Sequence, residues 1–225
     1  MNSTELGAEL ERFGTPDIAD ALDVLGYPEQ AAHGLDRMWD DCPRVAGRVM
    51  PILLGPEESG STVTGTLDAI EAADPGDVLL FDNGGRTDLN TFGSIAAFCA
   101  ERAGIKGAVA DGASRDIDDM REQNFPLYAR GTVTTTVKGR TGMAGYDLSV
   151  QCGGVDVEPG DYVVADGSGV IFVPGDVAED VVEIAPRFQQ FEREIKRRVA
   201  EGEDPVAVHE DVNYEDFEAR SGVDE

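Results

Sequence analysis

Apolar residues near the start of the chain recur at helical spacing. In "TPDIADALDVLG", Ile18 and Leu22 lie four positions apart and therefore share one helix face. Thr15 is a candidate N-cap, the proline after it suits the first turn, and Gly26 follows the last apolar position. Together with the amphipathic segment before it, this pattern predicts N-terminal helices over residues 4–26.

Short apolar runs in the middle of the chain alternate with helical patterns. The runs "VLLF" (78–81) and "GAVA" (107–110) are typical of buried strands, and "FPLYARG" predicts another strand. Between them, "FGSIAAFCAERAG" predicts a helix, and Ser114 is a plausible N-cap for a second helix that would begin at Arg115. This alternation predicts α/β layers.

The texture of the sequence changes after Gly139. Strand-like runs are punctuated by Gly-Gly, Pro-Gly and Gly-Ser-Gly, which predicts a set of β-hairpins. A charged helical pattern then covers residues 176–200, so we expect one domain over residues 1–200. Residues 201–225 are acidic and poor in apolar periodicity, and we expect this tail to be disordered or ordered only against a neighbouring subunit.

The formal net charge is −27, from 45 acidic and 18 basic residues. Binding of nucleic acid needs clustered cations, so we expect no nucleic-acid partner. Self-repulsion of this size destabilises a compact fold in dilute buffer, but at about 1 M salt the screening length falls to roughly 3 Å. We interpret the acidity as adaptation to a salty cytoplasm. The alternative, an acidic interaction surface or tail, fits only the end of the chain, because the charge is spread along all of it.

Composition also limits the location and the type of metal site. No apolar run approaches the roughly 20 residues of a membrane span, and the start has no secretory signal pattern, so we expect a soluble, cytoplasmic protein. Cys42, Cys99 and Cys152 form no C-x-x-C, which disfavours a disulfide framework and a thiolate zinc site. With only His33 and His209 available, any metal should be bound by oxygen.

Two predicted loops, 82–92 and 111–114, leave the carboxyl ends of buried strands. Ligands bind at this edge of layered α/β folds, where helix N-termini offer N–H groups to anions. Arg115 and Asp116 follow; on one helix their side chains would diverge by about 100°. The planar fork of arginine suits a carboxylate or an enolate oxygen, and a single aspartate with several waters commonly holds Mg²⁺. The alternative is a solvated helix start without a ligand.

The stretch "GDVLLFDNGGRTDLNTFGSIAAFCAERAGIKGAVADGASRDIDDMREQNFPLYARGT", followed by "GGVDVEPGDYVVADGSGVIFVP", resembles the RraA-like family, which includes 4-hydroxy-4-methyl-2-oxoglutarate aldolases. The similarity runs from about residue 15 to residue 175. It implies a swivelling β/β/α sandwich of the phosphohistidine-domain type, an α/β fold, with N-terminal helices and a long C-terminal helix. It also implies trimers or hexamers with active sites between subunits.

The resemblance further implies an activity. Family enzymes cleave or decarboxylate α-keto acids with Mg²⁺ or Mn²⁺ and release pyruvate through its enolate. By position, Arg115 would bind the pyruvyl oxygens and Asp116 would hold the metal. Backbone N–H groups at a helix N-terminus would bind the substrate carboxylate; these belong to Gly93, Ser94, Ile95 and Ala96.

One position departs from the family pattern. Characterised aldolases carry an acid directly after the glycine matched by Gly93, but this chain has Ser94, which is no comparable base at neutral pH. Either another acid transfers the proton, or the substrate differs. Asp88 is the leading candidate, with a turn residue as its alternative, and Asp82 is the second. Lys138 could bind the distal end of the substrate. Metal-bound water could be ordered by an acid on the C-terminal helix of a neighbouring subunit, either Glu192 or Glu194.

Two main functions remain. The first is a divalent-metal-dependent lyase, a pyruvate aldolase or oxaloacetate decarboxylase, from a halophilic organism. The second is a non-enzymatic regulator that binds and inhibits a ribonuclease, as some family members do. The pair Arg115 and Asp116 favours the enzyme, because members acting as regulators tend to lose that aspartate. A family scaffold left catalytically weak by Ser94 is a third reading.

Overall fold

The structure is a computed structural model that describes residues 1–212. Seven α-helices are found within this range: α1 Ser3–Leu10, α2 Thr15–Val24, α3 Thr62–Ala72, α4 Ser94–Arg102, α5 Ile117–Gln123, α6 Ala178–Ala200 and α7 Pro205–Asp211. The same residues form eleven strands: β1 Ala31–Ala32, β2 Asp36–Arg37, β3 Val45–Gly55, β4 Val78–Asn90, β5 Gly107–Ser114, β6 Leu127–Thr132, β7 Gly142–Tyr146, β8 Val150–Cys152, β9 Val155–Val157, β10 Tyr162–Asp166 and β11 Gly169–Val173.

Most strands join one mixed sheet in the order β1-β11-β10-β3-β4-β5-β6-β2, with β7 also paired to β3. The four central strands, β3 to β6, run parallel, and the flanking pairs are antiparallel. Residues 78–81 and 107–110 are fully buried, as expected for central parallel strands covered on both faces. The predicted α/β sandwich is confirmed.

Two apolar clusters attach the helices to this sheet. The smaller one joins α1, α2 and α6 to β10 and β11, and includes Leu10, Ile18 and Phe188. The larger one joins α3, α4 and α5 to the central strands. It contains Ile70 of α3 and Ala97 of α4, together with buried apolar residues of those strands. The helices α3 to α5 therefore cover the parallel strands, and their N-terminal ends surround the site described below.

The two loops predicted after the buried runs are wrong, because both segments continue as strands. β4 reaches Asn90 and β5 reaches Ser114. Between two paired positions, residues 83–89 of β4 stand opposite only Gly112 of β5. The extra residues form a wide bulge, with Gly84 and Gly85 at φ +61° and +71°, a conformation that glycine adopts without steric cost.

The helix predicted to begin at Arg115 begins two residues later. Ser114 is the last residue of β5 rather than an N-cap, and α5 starts at Ile117. Asp116 is its N-cap, in the left-handed region at φ +59° and ψ +36°. Aspartate is one of the few non-glycine residues that tolerate this region. The prediction that Arg115 and Asp116 point apart on one helix is therefore wrong.

The C-terminal helix spans nearly the predicted range, but the tail was predicted wrongly in part. Within residues 201–225, Pro205–Asp211 form α7, which packs on the same chain through the buried Val208. Arg198 of α6 pairs with Glu203 and Asp211, both at 2.6 Å, and so holds α7 in place. Residues 213–225 lie outside the described residues. In the described part, no helix is both long and apolar enough to cross a membrane.

Candidate active site

The N-terminus of α4 is held beside the end of β5 by backbone hydrogen bonds. The Thr91 N–H donates to the Ala113 carbonyl at 2.6 Å, and the Arg115 N–H donates to the Phe92 carbonyl at 3.3 Å. The Asn83 amide donates to the Thr91 hydroxyl at 2.9 Å and so anchors the bulge. These contacts place the residues that follow β5 against the first turn of α4.

The Asp116 carboxylate lies at the start of α4. Its Oδ2 atom accepts from the Ser94 N–H at 3.3 Å and from the Ser94 hydroxyl at 3.4 Å. A Cβ atom on Gly93 would lie only 2.9 Å from the same oxygen. Gly93 is therefore required by the close approach of Asp116 rather than by its backbone, which is extended at φ −150°. The serine found in place of the family acid contacts the predicted metal ligand.

Arg115 has a donor without an acceptor. Its Nε atom forms an ion pair with Asp116 Oδ2 at 3.4 Å, but the geometry is not that of a hydrogen bond, and this buried nitrogen has no hydrogen-bond partner in the described residues. A buried donor without an acceptor costs free energy that an acceptor on a ligand would recover. The guanidinium is thus suited to a ligand oxygen at this point.

Arg115 and Asp116 line a cavity of about 230 Å³. Its other walls come from the starts of α3 and α4 and from the segment after β6: Thr62, Val63, Thr66, Leu67, Asn90, Thr91, Phe92, Gly93, Ile95, Ala96, Thr136, Val137 and Lys138. Gly93 has no side chain to cap α4, and in the first turn Asp116 accepts from the Ser94 N–H, so the N–H groups of Ile95 and Ala96 are available to an anion. Five predicted site residues, namely Gly93, Ile95, Ala96, Arg115 and Asp116, therefore share one cavity with Lys138, while Ser94 contacts Asp116 from beside it.

The donor set fits a divalent ion bound mainly by water and substrate. Among the described residues, no group of three or more His, Cys, Asp or Glu side chains could enclose a metal. Asp116 is the one carboxylate among the cavity-lining residues in the described part of the chain. Mg²⁺ commonly keeps several waters and uses one or two carboxylates together with substrate oxygens. The N–H groups of Ile95 and Ala96 and the Arg115 nitrogen without a hydrogen-bond partner can bind such a substrate.

The acids considered for proton transfer lie elsewhere. Asp88 is not among the residues that line the cavity and is exposed, with Arg86 donating to it at 2.9 and 3.0 Å. That hydrogen bond lowers the pKa of Asp88, which weakens it as a base. Asp82 accepts from the Gly84 and Gln151 N–H groups at 2.9 and 3.0 Å. Within one subunit, the geometry offers no support for either acid as the base.

The acids suggested on the C-terminal helix are paired on their own helix. Glu192 pairs with Lys196, and Glu194 pairs with Arg197. The Arg197 hydrogen bond lowers the pKa of Glu194. Their suggested contact with a neighbouring subunit stays a prediction.

The sequence did not indicate that α3 forms one wall of the cavity, here called the α3 wall. Thr62, Val63, Thr66 and Leu67 lie about thirty residues before Gly93, in a helix whose sequence carries no motif. Only the packing of α3 beside α4 brings them to the cavity. Threonine is too common a residue type for Thr62 and Thr66 alone to indicate an anion site.

Sequence comparison identifies the family of this chain. The profile of the family described as RraA-like (Aldolase/RraA) matches residues 15–172, well over half of the chain. The chain belongs to the RraA-like family. Among RraA-like relatives, a protein of Halalkalibacterium halodurans that carries the provisional name 4-hydroxy-4-methyl-2-oxoglutarate aldolase is 33% identical over 153 residues, 66% of this chain and 72% of the relative. Protein DlpA of Legionella pneumophila is 27% identical over 207 residues, 92% of this chain but only 34% of DlpA.

Solved RraA-like structures share the fold. A crystal structure of a protein from Pseudomonas syringae pv. tomato matches with a TM-score of 0.83 and 30% identity, covering 91% of this chain and 92% of the other. Streptomyces coelicolor RraAS2, described as an unusual member of the RNase ES inhibitor RraA protein family, matches with a TM-score of 0.79 and 29% identity, covering 86% and 98%. Relatives therefore carry both aldolase and inhibitor names.

Proposed function

We propose that this protein is a divalent-metal-dependent lyase that cleaves or decarboxylates an α-keto acid and releases pyruvate through its enolate. One observation carries the proposal: Asp116, an Arg115 nitrogen without a hydrogen-bond partner and the N–H groups of Ile95 and Ala96 at the start of α4 meet at one cavity. The provisional aldolase names of relatives support the same reaction class.

The residues divide the chemistry between them. The N–H groups of Ile95 and Ala96 bind the carboxylate of the keto acid, and Arg115 donates to its keto oxygen. When the bond next to the ketone breaks, its electron pair moves onto that oxygen, where a guanidinium stabilises the developing charge. Asp116 would hold Mg²⁺ or Mn²⁺, which supplies Lewis-acid stabilisation of the same charge when bound. No Schiff base is part of the mechanism.

The test is pyruvate release from oxaloacetate and from 4-hydroxy-2-oxo acids, followed with a lactate dehydrogenase couple in molar KCl. Turnover should require Mg²⁺ or Mn²⁺ and stop with EDTA. Asp116→Asn should lower it about 100-fold, because the amide is a poor ligand for the ion and asparagine still tolerates the left-handed backbone.

The matched control is Asp147→Asn. Asp147 is also a left-handed aspartate, at φ +55°, but does not line the cavity. Full activity in Asp147→Asn separates the metal role of Asp116 from backbone strain. Turnover that survives EDTA, or a fully active Asp116→Asn enzyme, would contradict the proposal.

A second function is favoured by the similarity to RraAS2. In that case the protein would bind a ribonuclease of the RNase ES type and slow its cleavage of RNA, without metal-dependent turnover. A cleavage assay with and without the protein decides between the two: inhibition that Asp116→Asn leaves unchanged supports the regulator.

The trimer or hexamer implied by the family resemblance is part of the lyase proposal, and light scattering after gel filtration measures it.

A further inference from the structure

The cavity beyond Arg115 and Asp116 has apolar walls. Val63 and Leu67 of α3 lie on one side, and Ile95 and Ala96 of α4 lie on the other. Val63 is 57% exposed and Ile95 is 77% exposed, which places them among the few large apolar side chains that are exposed within residues 1–212. Exposed aliphatic side chains gain free energy when a ligand covers them.

The charged pair Arg115 and Asp116 lies beside the first turn of α4 in this cavity. Arg115, Asp116 and the first turn of α4 meet where the keto-acid head is placed by the proposed function, on which this inference rests. The apolar side chains begin within that first turn, since Ile95 and Ala96 belong to the same helical turn as Gly93. A ligand whose carboxylate lies at the start of α4 thus extends its tail between α3 and α4.

We propose that this tail is an aliphatic chain, so that the substrates are 4-hydroxy-2-oxo acids with an apolar substituent in place of a second carboxylate. The reaction is then aldol cleavage, since release of pyruvate by decarboxylation needs a second carboxylate. Lys138 is the one cation besides Arg115 among the described lining residues. A second carboxylate would have Lys138 as its one cationic partner away from Arg115, within a chain of net charge −27. An aliphatic tail contacts Val63 and Ile95 and carries no added charge.

Binding of unreactive 2-oxo acids tests the proposal without turnover. Isothermal titration calorimetry in molar KCl with saturating Mg²⁺ compares pyruvate, 2-oxobutyrate, 2-oxopentanoate and 2-oxohexanoate with 2-oxoglutarate. Each methylene covered by the walls should tighten binding up to about 4-fold. 2-Oxopentanoate should therefore bind tighter than 2-oxoglutarate, which has the same number of carbons in its chain.

The double variant Val63→Ser and Ile95→Ser should flatten the chain-length series to less than 2-fold. Val206→Ser is the matched control, because Val206 on α7 is similarly exposed, at 64%, and lies outside the cavity. It should keep the full series. Both valines and Ile95 are exposed, so these changes leave the apolar core intact.

Three outcomes would overturn the proposal. The first is tighter binding of 2-oxoglutarate than of 2-oxopentanoate, with Lys138→Met removing the difference. The second is a chain-length series that the double variant does not alter. The third is a double variant that changes the subunit count but not ligand affinity, which would assign the apolar walls to a contact with a second copy. Failure of pyruvate itself to bind with Mg²⁺ would instead contradict the proposed function.

Discussion

Gly93→Ala isolates the contact between Asp116 and the start of α4. The added Cβ atom would lie 2.9 Å from Asp116 Oδ2, whereas ordinary contacts begin at 3.4 Å, so the carboxylate must retreat by about 0.5 Å. The backbone of Gly93, at φ −150° and ψ +174°, accepts alanine without strain. The substitution therefore moves the proposed metal ligand and leaves the backbone in place.

The expected effect is large on metal use and small on stability. Displacement of a ligand by about 1 Å costs on the order of 100-fold in rate, so we expect about 10-fold for half that distance. The Mg²⁺ concentration for half-maximal pyruvate release should rise by a similar factor. Alanine is a poorer N-cap than glycine, which should cost about 1 kcal/mol of unfolding free energy.

Gly14→Ala provides the control for that N-cap cost. Gly14 is also a glycine N-cap with extended backbone, at φ −70°, and an aspartate, Asp166, likewise accepts from the first N–H of its helix, but a Cβ there would meet its neighbours at 3.4 Å or more. Both variants should lose similar thermal stability, and only Gly93→Ala should need more Mg²⁺. Wild-type Mg²⁺ dependence in Gly93→Ala, or an equal shift in Gly14→Ala, would refute the link between this contact and metal use.

Four further predictions concern stability. Ser94→Asp places a second carboxylate beside Asp116, so its melting temperature should fall in EDTA and recover with Mg²⁺; a melting temperature indifferent to Mg²⁺ would contradict the metal site. Arg130→Met removes the cation that pairs with the buried Asp111. Because Arg130 is 25% exposed, we expect the free energy of unfolding in urea to fall by about 2 kcal/mol. Adding Asp111→Asn to the same chain should restore part of this loss. Burial of Asp166 opposes its ionisation, but backbone hydrogen bonds lower the pKa of this carboxyl overall. The ionised carboxylate therefore stabilises the fold above the unfolded pKa of about 3.9, and this stabilisation is lost on acidification. Below about pH 4, Asp166→Asn should thus lose less free energy of unfolding than the wild type. For the whole chain, the net charge of −27 predicts a melting temperature that rises between about 0.1 M and 1 M KCl, as screening shortens from roughly 10 to 3 Å, and a constant value would refute the role given to self-repulsion.

Local patterns in the sequence were sufficient for most elements. The spacing of Ile18 and Leu22, and the buried runs 78–81 and 107–110, predicted α2 and the centres of β4 and β5, because helix and strand periodicity depend on nearby residues. The order of strands and helices indicated the α/β layers. The motif around Arg115 and Asp116 contained two of the residues that line the cavity.

Only the tertiary structure decided how those residues face each other. The left-handed backbone of Asp116 and the bulge at 83–89 depend on neighbouring strands, and no local pattern reports them. The α3 wall reaches the cavity because α3 packs beside α4, which begins about thirty residues later in the chain. Sequence determined which chemical groups are available, whereas long-range packing determined which of them share one cavity, because contacts between distant residues form only when the sheet and its covering helices assemble.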